Sequence, residues 1–116
     1  MRLTLRQFVR VGFLEKVYEN ALALGIAKAG YAVQRQWPIQ VRYGDVVVGE
    51  YVADMLVERS VLLELKAMKG LHDIHTAQCL NYLKATGLQV CLLINLGGRR
   101  VQVKRIVNEF DRRKSA

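Results

Sequence analysis

Proline, cysteine and long apolar runs are scarce in this sequence. The 116 residues include one proline and two cysteines, and 52% of them are hydrophobic. That composition excludes a disordered chain. No apolar run approaches the roughly 20 residues that span a membrane, and the first residues lack a signal-peptide core. The sequence therefore predicts one folded domain with a cytoplasmic location.

The two cysteines do not indicate a disulfide framework. Cys79 and Cys91 each lie within an apolar, periodic segment. Such positions favour reduced thiols in the core of a cytosolic protein.

Acidic residues are also few. Eighteen Lys and Arg stand against ten Asp and Glu, which gives a formal net charge of +8. A basic excess attracts polyanions, so nucleic acid is the first partner to consider. Basic residues concentrate at both termini, where they form either a solvated face or a nucleic-acid contact: Arg2, Arg6, Arg10, Arg112, Arg113 and Lys114.

Periodicity predicts seven elements in the order αβββαββ. A first helix follows Gly12, where Leu14, Val17, Ala21 and Leu24 recur at helical spacing, and it ends at Gly30. Pro38 predicts an interruption or a sheet edge, and Gly97-Gly98 predicts a two-residue hairpin turn. The other expected elements are strands at 32–42, 46–57, 61–67, 88–96 and 99–107 and a helix at 71–86. We expect an α/β fold with one mixed sheet flanked by helices.

The segment "VLLELKAMKG" places charge in an otherwise buried strand. Leu62, Glu64 and Lys66 alternate onto one face of the strand 61–67. If the preceding turn takes three residues, Asp54 lies directly opposite Glu64. A five-residue turn keeps that pairing, whereas an even-numbered turn separates the two acids.

Two opposed carboxylates repel each other by roughly 3–4 kcal/mol at contact distance with an effective dielectric of ~20. A shared proton, a salt bridge or a bound cation offsets this repulsion. Asp54 and Glu64 match the ligands of Mg²⁺, and Lys66 would hold a phosphate oxygen or orient water. The alternative is a structural ion pair between Glu64 and Lys66.

Asp54 followed by Glu64-Leu65-Lys66 resembles the PD-(D/E)XK nuclease superfamily, with Ala53 at the position of the motif's proline. Within "GFLEKVYENAL", Gly12, Glu15 and Tyr18 resemble the signature of its GxxExxY branch. "ADMLV", "LLELKA", "IHTAQCLNYLKATGL" and "LLINLG…KRIVN" extend the similarity to about residue 108. Relatives carry a longer helix before the glycine, so we expect a short arm at 1–11 and a nuclease-like domain at 12–116.

The resemblance implies a metal-dependent nuclease that uses Mg²⁺ or Mn²⁺. Asp54 and Glu64 would bind the metal, Lys66 would serve catalysis, and Glu15 and Gln78 would assist. Nucleic acid would be the substrate, DNA more than RNA, with no membrane partner. Homodimer formation is compatible with this interpretation. The alternative function is a non-catalytic nucleic-acid-binding or assembly module on the same fold.

The second predicted helix carries two stripes. His75, Gln78 and Tyr82 form a polar stripe, and we expect His75 and Tyr82 to contact substrate. The apolar stripe is expected to pack on the sheet: Ile74, Ala77, Leu80 and Leu83. His72, His75 and Cys79 have a spacing compatible with zinc, but no fourth ligand is evident.

The net charge generates a first prediction. Binding to nucleic acid is expected to weaken steeply between low and physiological salt, because binding releases condensed counterions. Filter binding across that range measures it. A flat response, or no binding at low salt, would contradict a polyanionic partner.

Overall fold

The predicted order of helices and strands is confirmed. A computed structural model describes residues 11–70 and 73–108, with side chains from Glu15 onward. The elements are α1 (Val11–Lys28), β1 (Val33–Tyr43), β2 (Val46–Val57), β3 (Val61–Lys66), α2 (Asp73–Thr86), β4 (Val90–Asn95) and β5 (Gln102–Val107). The terminal basic clusters and His72 lie outside the described residues.

The strands form one mixed sheet in the order β1-β2-β3-β4-β5. β3 and β4 are parallel, and the other neighbouring strands are antiparallel. The α2 helix supplies the crossover that a parallel connection requires. β1 is an edge strand, so Pro38 lies at a sheet edge as expected.

Both faces of the central strands are covered, as their apolar composition predicts. The α2 face packs around Leu56, Leu62, Cys79, Leu83, Cys91 and Leu93. The α1 face packs around Ala23, Met55, Leu63, Leu65 and Ile94. β3 contributes to both cores, so its polar residues lie in the interior.

Three of the apolar residues that predicted the first helix, Val17, Ala21 and Leu24, are exposed. Val17 is 45% exposed and Leu24 is 57% exposed. The helix instead buries Ala23 and partly buries Leu22 and Ile26, which pack on the sheet. The buried stripe includes acidic residues nearer the start of the helix, so hydrophobicity alone favoured the wrong face.

The second helix packs on the sheet through part of the predicted apolar stripe. Leu83 is buried and Leu80 packs against the same core, as expected, whereas Ile74 is 71% exposed and Ala77 is exposed. Cys79 is buried as predicted and behaves as a small hydrophobic residue. From the stripe expected to be polar, Tyr82 is also buried and packs in the core through its large ring.

The predicted two-residue turn at Gly97-Gly98 is wrong. Asn95 pairs with Gln102, so residues 96–101 form the loop. The buried Asn95 side chain explains the longer path, because its Oδ1 accepts from Met68 N at 3.0 Å and its Nδ2 donates to Met68 O at 2.9 Å. Gly97 lies against the same backbone. A Cβ there would lie 2.3 Å from Met68 N.

Gly97→Ala is therefore expected to destabilise the fold by about 1–3 kcal/mol, the typical cost of overpacking. Gly25→Ala is the matched control. Gly25 lies inside α1, and a Cβ there would meet no other atom within 4 Å, so alanine should stabilise by about 0.5–1 kcal/mol. Urea unfolding of both variants measures the difference. An unchanged midpoint for Gly97→Ala would contradict the close approach.

Candidate active site

Asp54 and Glu64 lie where the β2–β3 ladder ends. Val57 pairs with Val61 across a three-residue turn, and the ladder continues through Met55 and Leu63. This register confirms the predicted one, and the next two residues are the acids. The pair is not bridged by ordinary ladder bonds. Asp54 N donates to Glu64 Oε1 at 3.0 Å.

The second bond is reciprocal. Leu65 N donates to Asp54 Oδ2 at 2.7 Å. Each carboxylate therefore accepts a backbone N–H from the opposite strand. These side-chain bonds connect β2 and β3 where their regular pairing ends.

The pleat of β2 is interrupted at Asp54. Ala53 packs in the α2-side core, yet Met55, two residues on, packs in the α1-side core. On β1, Gln36 falls between the pairs Arg35–Met55 and Trp37–Ala53 and has a φ of 50°. The irregularity spans both strands at one level, so Asp54 lies outside the regular alternation of side chains.

Burial and charge both act on the acidic pair. Glu64 is 4% exposed. Its burial, followed by the charge of Asp54, raises the pKa of Glu64 to about 7. Burial also raises the pKa of Asp54, although the hydrogen bond from Leu65 N opposes the shift. The Glu64 carboxyl therefore keeps its proton to a higher pH than an exposed glutamate does.

Lys66 lies near both acids without a direct ion pair. Its charge lowers the pKa of Asp54 and of Glu64, which partly offsets their burial. In the described part of the chain, the ion pairs within 4 Å are Lys16–Glu19 and Arg35–Glu19. The alternative of a direct structural pair between Glu64 and Lys66 is therefore not seen.

Glu19 is a third acid near the pair, and sequence reasoning missed it. It is 5% exposed, and its charge raises the pKa of both Asp54 and Glu64. Arg35 Nη2 lies 2.6 Å from Glu19 Oε2, and Gln36 Nε2 donates to both oxygens at 3.1 and 3.2 Å. Burial raises the pKa of Glu19, but hydrogen bonds from Arg35, Lys16 and Gln36 outweigh it and leave that pKa lowered.

A signal for Glu19 is present in the sequence. It precedes Leu22, Ala23 and Ile26 by three, four and seven residues, which places it on their face of the helix. Glu15 lies one turn earlier and is partly buried. We find no hydrogen bond or ion pair between Glu15 and another described residue, so its predicted assisting role stays a prediction.

A cleft of about 910 Å³ opens beside Lys66, between the β1–β2 edge and α2. Three predicted residues also line it: His75, Gln78 and Tyr82. Gln78 Nε2 donates to Tyr82 Oη at 2.9 Å. Burial, followed by the charge of Glu64, raises the pKa of Tyr82 to about 12. The structure thus brings Lys66 and the polar stripe of α2 into one cleft.

The residues present fit a hard divalent cation. Mg²⁺ takes one or two carboxylates and completes its shell with water and phosphate. Asp54 and Glu64 each use one oxygen for a backbone N–H, which leaves the other oxygen for a ligand. Residues 11–70 and 73–108 contain no metal-binding group of three or more His, Cys, Asp or Glu. The zinc alternative includes His72, which lies outside them.

Comparison with known proteins identifies the class. The model of the PD-(D/E)XK nuclease superfamily matches residues 4–106, so the chain belongs to that superfamily. This confirms the broader part of the resemblance. Nucleases of this superfamily typically use divalent metals. A search of curated proteins finds no match.

Two solved structures share the fold. The crystal structure of SSO0001 has a TM-score of 0.67 and 16% identity, over 88% of this chain and 54% of that one. An alkaline exonuclease from Laribacter hongkongensis has a TM-score of 0.55 and 18% identity, over 86% of this chain and 59% of that one. The chain therefore spans little more than half the length of either protein. No helix in its described part is long and apolar enough to cross a membrane.

The raised pKa of Glu64 generates a prediction of pH-dependent stability. Below pH 4.5, the ordinary pKa of this carboxyl, Glu64 is protonated in both the folded and the unfolded protein. Folding then does not bury a charge at this position. Between 4.5 and about 7 the unfolded state ionises first, so the free energy of unfolding falls as pH rises. In total, ionisation of the buried Glu64 carboxyl lowers the free energy of unfolding by on the order of 3 kcal/mol. This loss is constant at higher pH.

Glu64→Gln should remove this cost, because glutamine keeps an oxygen that can accept the Asp54 N–H. The metal-free variant is expected to melt higher than wild type at pH 8 and to lose the advantage toward pH 4. Glu50→Gln, at an exposed position of the neighbouring strand β2, is the matched control. Thermal melts across this pH range measure the effect. A variant that melts lower at pH 8 would contradict it and favour a structural role for Glu64.

Proposed function

We propose that this chain is a Mg²⁺- or Mn²⁺-dependent nuclease that hydrolyses phosphodiester bonds, with DNA favoured over RNA. One observation carries the proposal: the Asp54 and Glu64 carboxylates bond reciprocally across the end of the β2–β3 ladder, with Lys66 near them at the cleft. Membership of a nuclease superfamily supports it. The basic net charge of +8 suits a polyanionic substrate.

Asp54 and Glu64 would hold the ion through the carboxylate oxygens that do not accept backbone N–H groups. The ion, when bound, would polarise the phosphate and lower the pKa of an attacking water. The ammonium of Lys66 would stabilise charge that develops on the phosphate or orient that water. Because ligation requires an ionised Glu64, cation binding should strengthen as pH rises through about 7.

Residues of the two helices complete the proposed site. Gln78 would orient a ligand of the acidic pair, and its bond to Tyr82 Oη supports a fixed orientation. His75 and Tyr82 would contact substrate from the wall of the cleft. Glu15 would assist from α1. Glu19 is the better-supported acid on that helix, because its charge acts on both Asp54 and Glu64.

We also propose the narrower placement in the GxxExxY branch. Gly12, Glu15 and Tyr18 all lie in α1, which supports a shared local structure for the motif. A cytoplasmic location and a homodimer belong to the same proposal. Two buried free thiols, Cys79 and Cys91, support a reducing compartment.

Incubation of the purified chain with single- and double-stranded DNA and RNA, with and without Mn²⁺, tests the activity. Cleavage is expected only with the metal. Mn²⁺ should also raise the melting temperature, because a ligand stabilises the state that binds it. Glu64→Gln should lose both effects while salt-dependent binding stays nearly intact.

Two further variants assign the roles. Lys66→Met should lose cleavage but keep stabilisation by Mn²⁺, whereas Glu50→Gln should keep both. A protein that binds nucleic acid, shows no response to Mn²⁺ and cleaves none of the four substrates would contradict the nuclease. That result would favour the alternative of a non-catalytic binding module.

A further inference from the structure

Two tyrosine rings meet in the cleft beside Lys66, and they differ in exposure. Tyr82 is 4% exposed, whereas Tyr51 is 47% exposed. Their ring centroids lie 5.7 Å apart, with the planes inclined by 48°. Tyr82 thus supports Tyr51 from the core side, and Tyr51 presents aromatic surface to the cleft.

Gly49 makes room for this ring. It precedes Tyr51 by two residues on β2 and therefore lies on the same side of the strand. A Cβ at Gly49 would lie 3.2 Å from Tyr51 Cε2 and 3.6 Å from Tyr51 Oη. Gly49 does not have a positive φ, so its backbone conformation does not demand glycine. The missing side chain allows the Tyr51 ring to lie along the strand.

The surroundings of the ring are basic and polar. Arg42, Lys66 and Lys84 line the same cleft, together with Gln40 and Asn81. Sites for single-stranded nucleic acid combine cations that follow the backbone with aromatic rings on which bases stack. The cleft contains both elements within one concave surface.

Tyr51 is also close to the acidic pair in sequence and in space. It precedes Asp54 by three residues on β2, which corresponds to about 10 Å along a strand. A base on Tyr51 would therefore belong to a nucleotide near the phosphate at Asp54 and Glu64. Within a duplex, both faces of a base are covered by its neighbours, so such stacking requires an unpaired base.

We propose that Tyr51 is a stacking platform for an unpaired base, and that the cleft takes single-stranded nucleic acid. The inference rests on the proposed function, since it names the substrate class of the same site. It assigns base stacking to Tyr51, with the buried ring of Tyr82 as its support. Arg42 and Lys84 would contact the phosphates on either side.

Binding in the absence of metal tests the platform without relying on cleavage. Fluorescence anisotropy is measured in EDTA and low salt with three probes: a labelled oligothymidylate, the same backbone with abasic sites, and a blunt duplex. Tyr51→Leu should weaken oligothymidylate binding by about 10-fold or more, as expected for loss of one stacked base. Tyr51→Phe keeps the ring and should bind like wild type.

The abasic probe and a long duplex should bind nearly equally well to wild type and Tyr51→Leu, because the first lacks the bases and the second exposes base faces only at its two ends. Tyr43→Leu is the matched control, since Tyr43 is 82% exposed and does not line the cleft. Circular dichroism melts confirm that each variant is folded. A Tyr51→Trp variant adds a direct readout, because a stacked base should quench its fluorescence.

Three results would overturn the proposal: no binding of oligothymidylate by wild type, equal binding by Tyr51→Leu, or an equal loss on the abasic probe. The proposed nuclease activity fails differently, through absent cleavage and absent stabilisation by Mn²⁺. A chain that stacks bases but cleaves nothing would keep this inference and lose the activity. A chain that cleaves nucleic acid but binds it equally well after Tyr51→Leu would keep the nuclease activity and lose this inference.

Discussion

The exchange of hydrogen bonds between Asp54 and Glu64 across two strands is the constraint on which the site depends. Each carboxylate accepts a backbone N–H from the opposite strand, at the point where the β2–β3 ladder ends. This arrangement satisfies both N–H groups with side-chain oxygens. It also brings two acids together in the interior, where neither is well hydrated. The site and the irregularity in the sheet are therefore one feature.

The rest of the structure limits the electrostatic cost of this arrangement. Glu19 would add a third negative charge, but Arg35, Gln36 and Lys16 hold its carboxylate. The positive φ of Gln36 belongs to the same local geometry, because the residue leaves the β1–β2 register and bonds to α1. Two residues of the edge strand β1, Arg35 and Gln36, thus stabilise the buried carboxylate of Glu19 on α1. Lys66 remains available on the other side, close to the pair but outside ion-pair distance.

Sequence predicted the order of elements, the bounds of β2 and the register of Asp54 against Glu64, because these follow from alternation and a polar three-residue turn. It failed where polar residues replace apolar ones in the core. Glu19 lies in the buried stripe of α1 and Tyr82 lies in that of α2, so hydrophobicity alone did not identify every buried position. The loop at 96–101 was missed because it follows the side-chain bonds of a buried Asn95 to a distant backbone. Such long-range partners leave no local pattern.

The loop at 96–101 contacts the chain after β3, and this contact limits the changes of loop length that the protein can accept. Leu96 N donates to Lys66 O at 2.7 Å, and Gly97 lies against Met68. The backbone that carries the lysine is thereby attached to the neighbouring β4–β5 hairpin, beyond the last pair of the β3–β4 ladder. An insertion or deletion before Gly98 would move the lysine relative to the acids, although no residue of the site had been altered. We therefore expect this hairpin to tolerate changes of length only around Arg99 and Arg100, which are exposed.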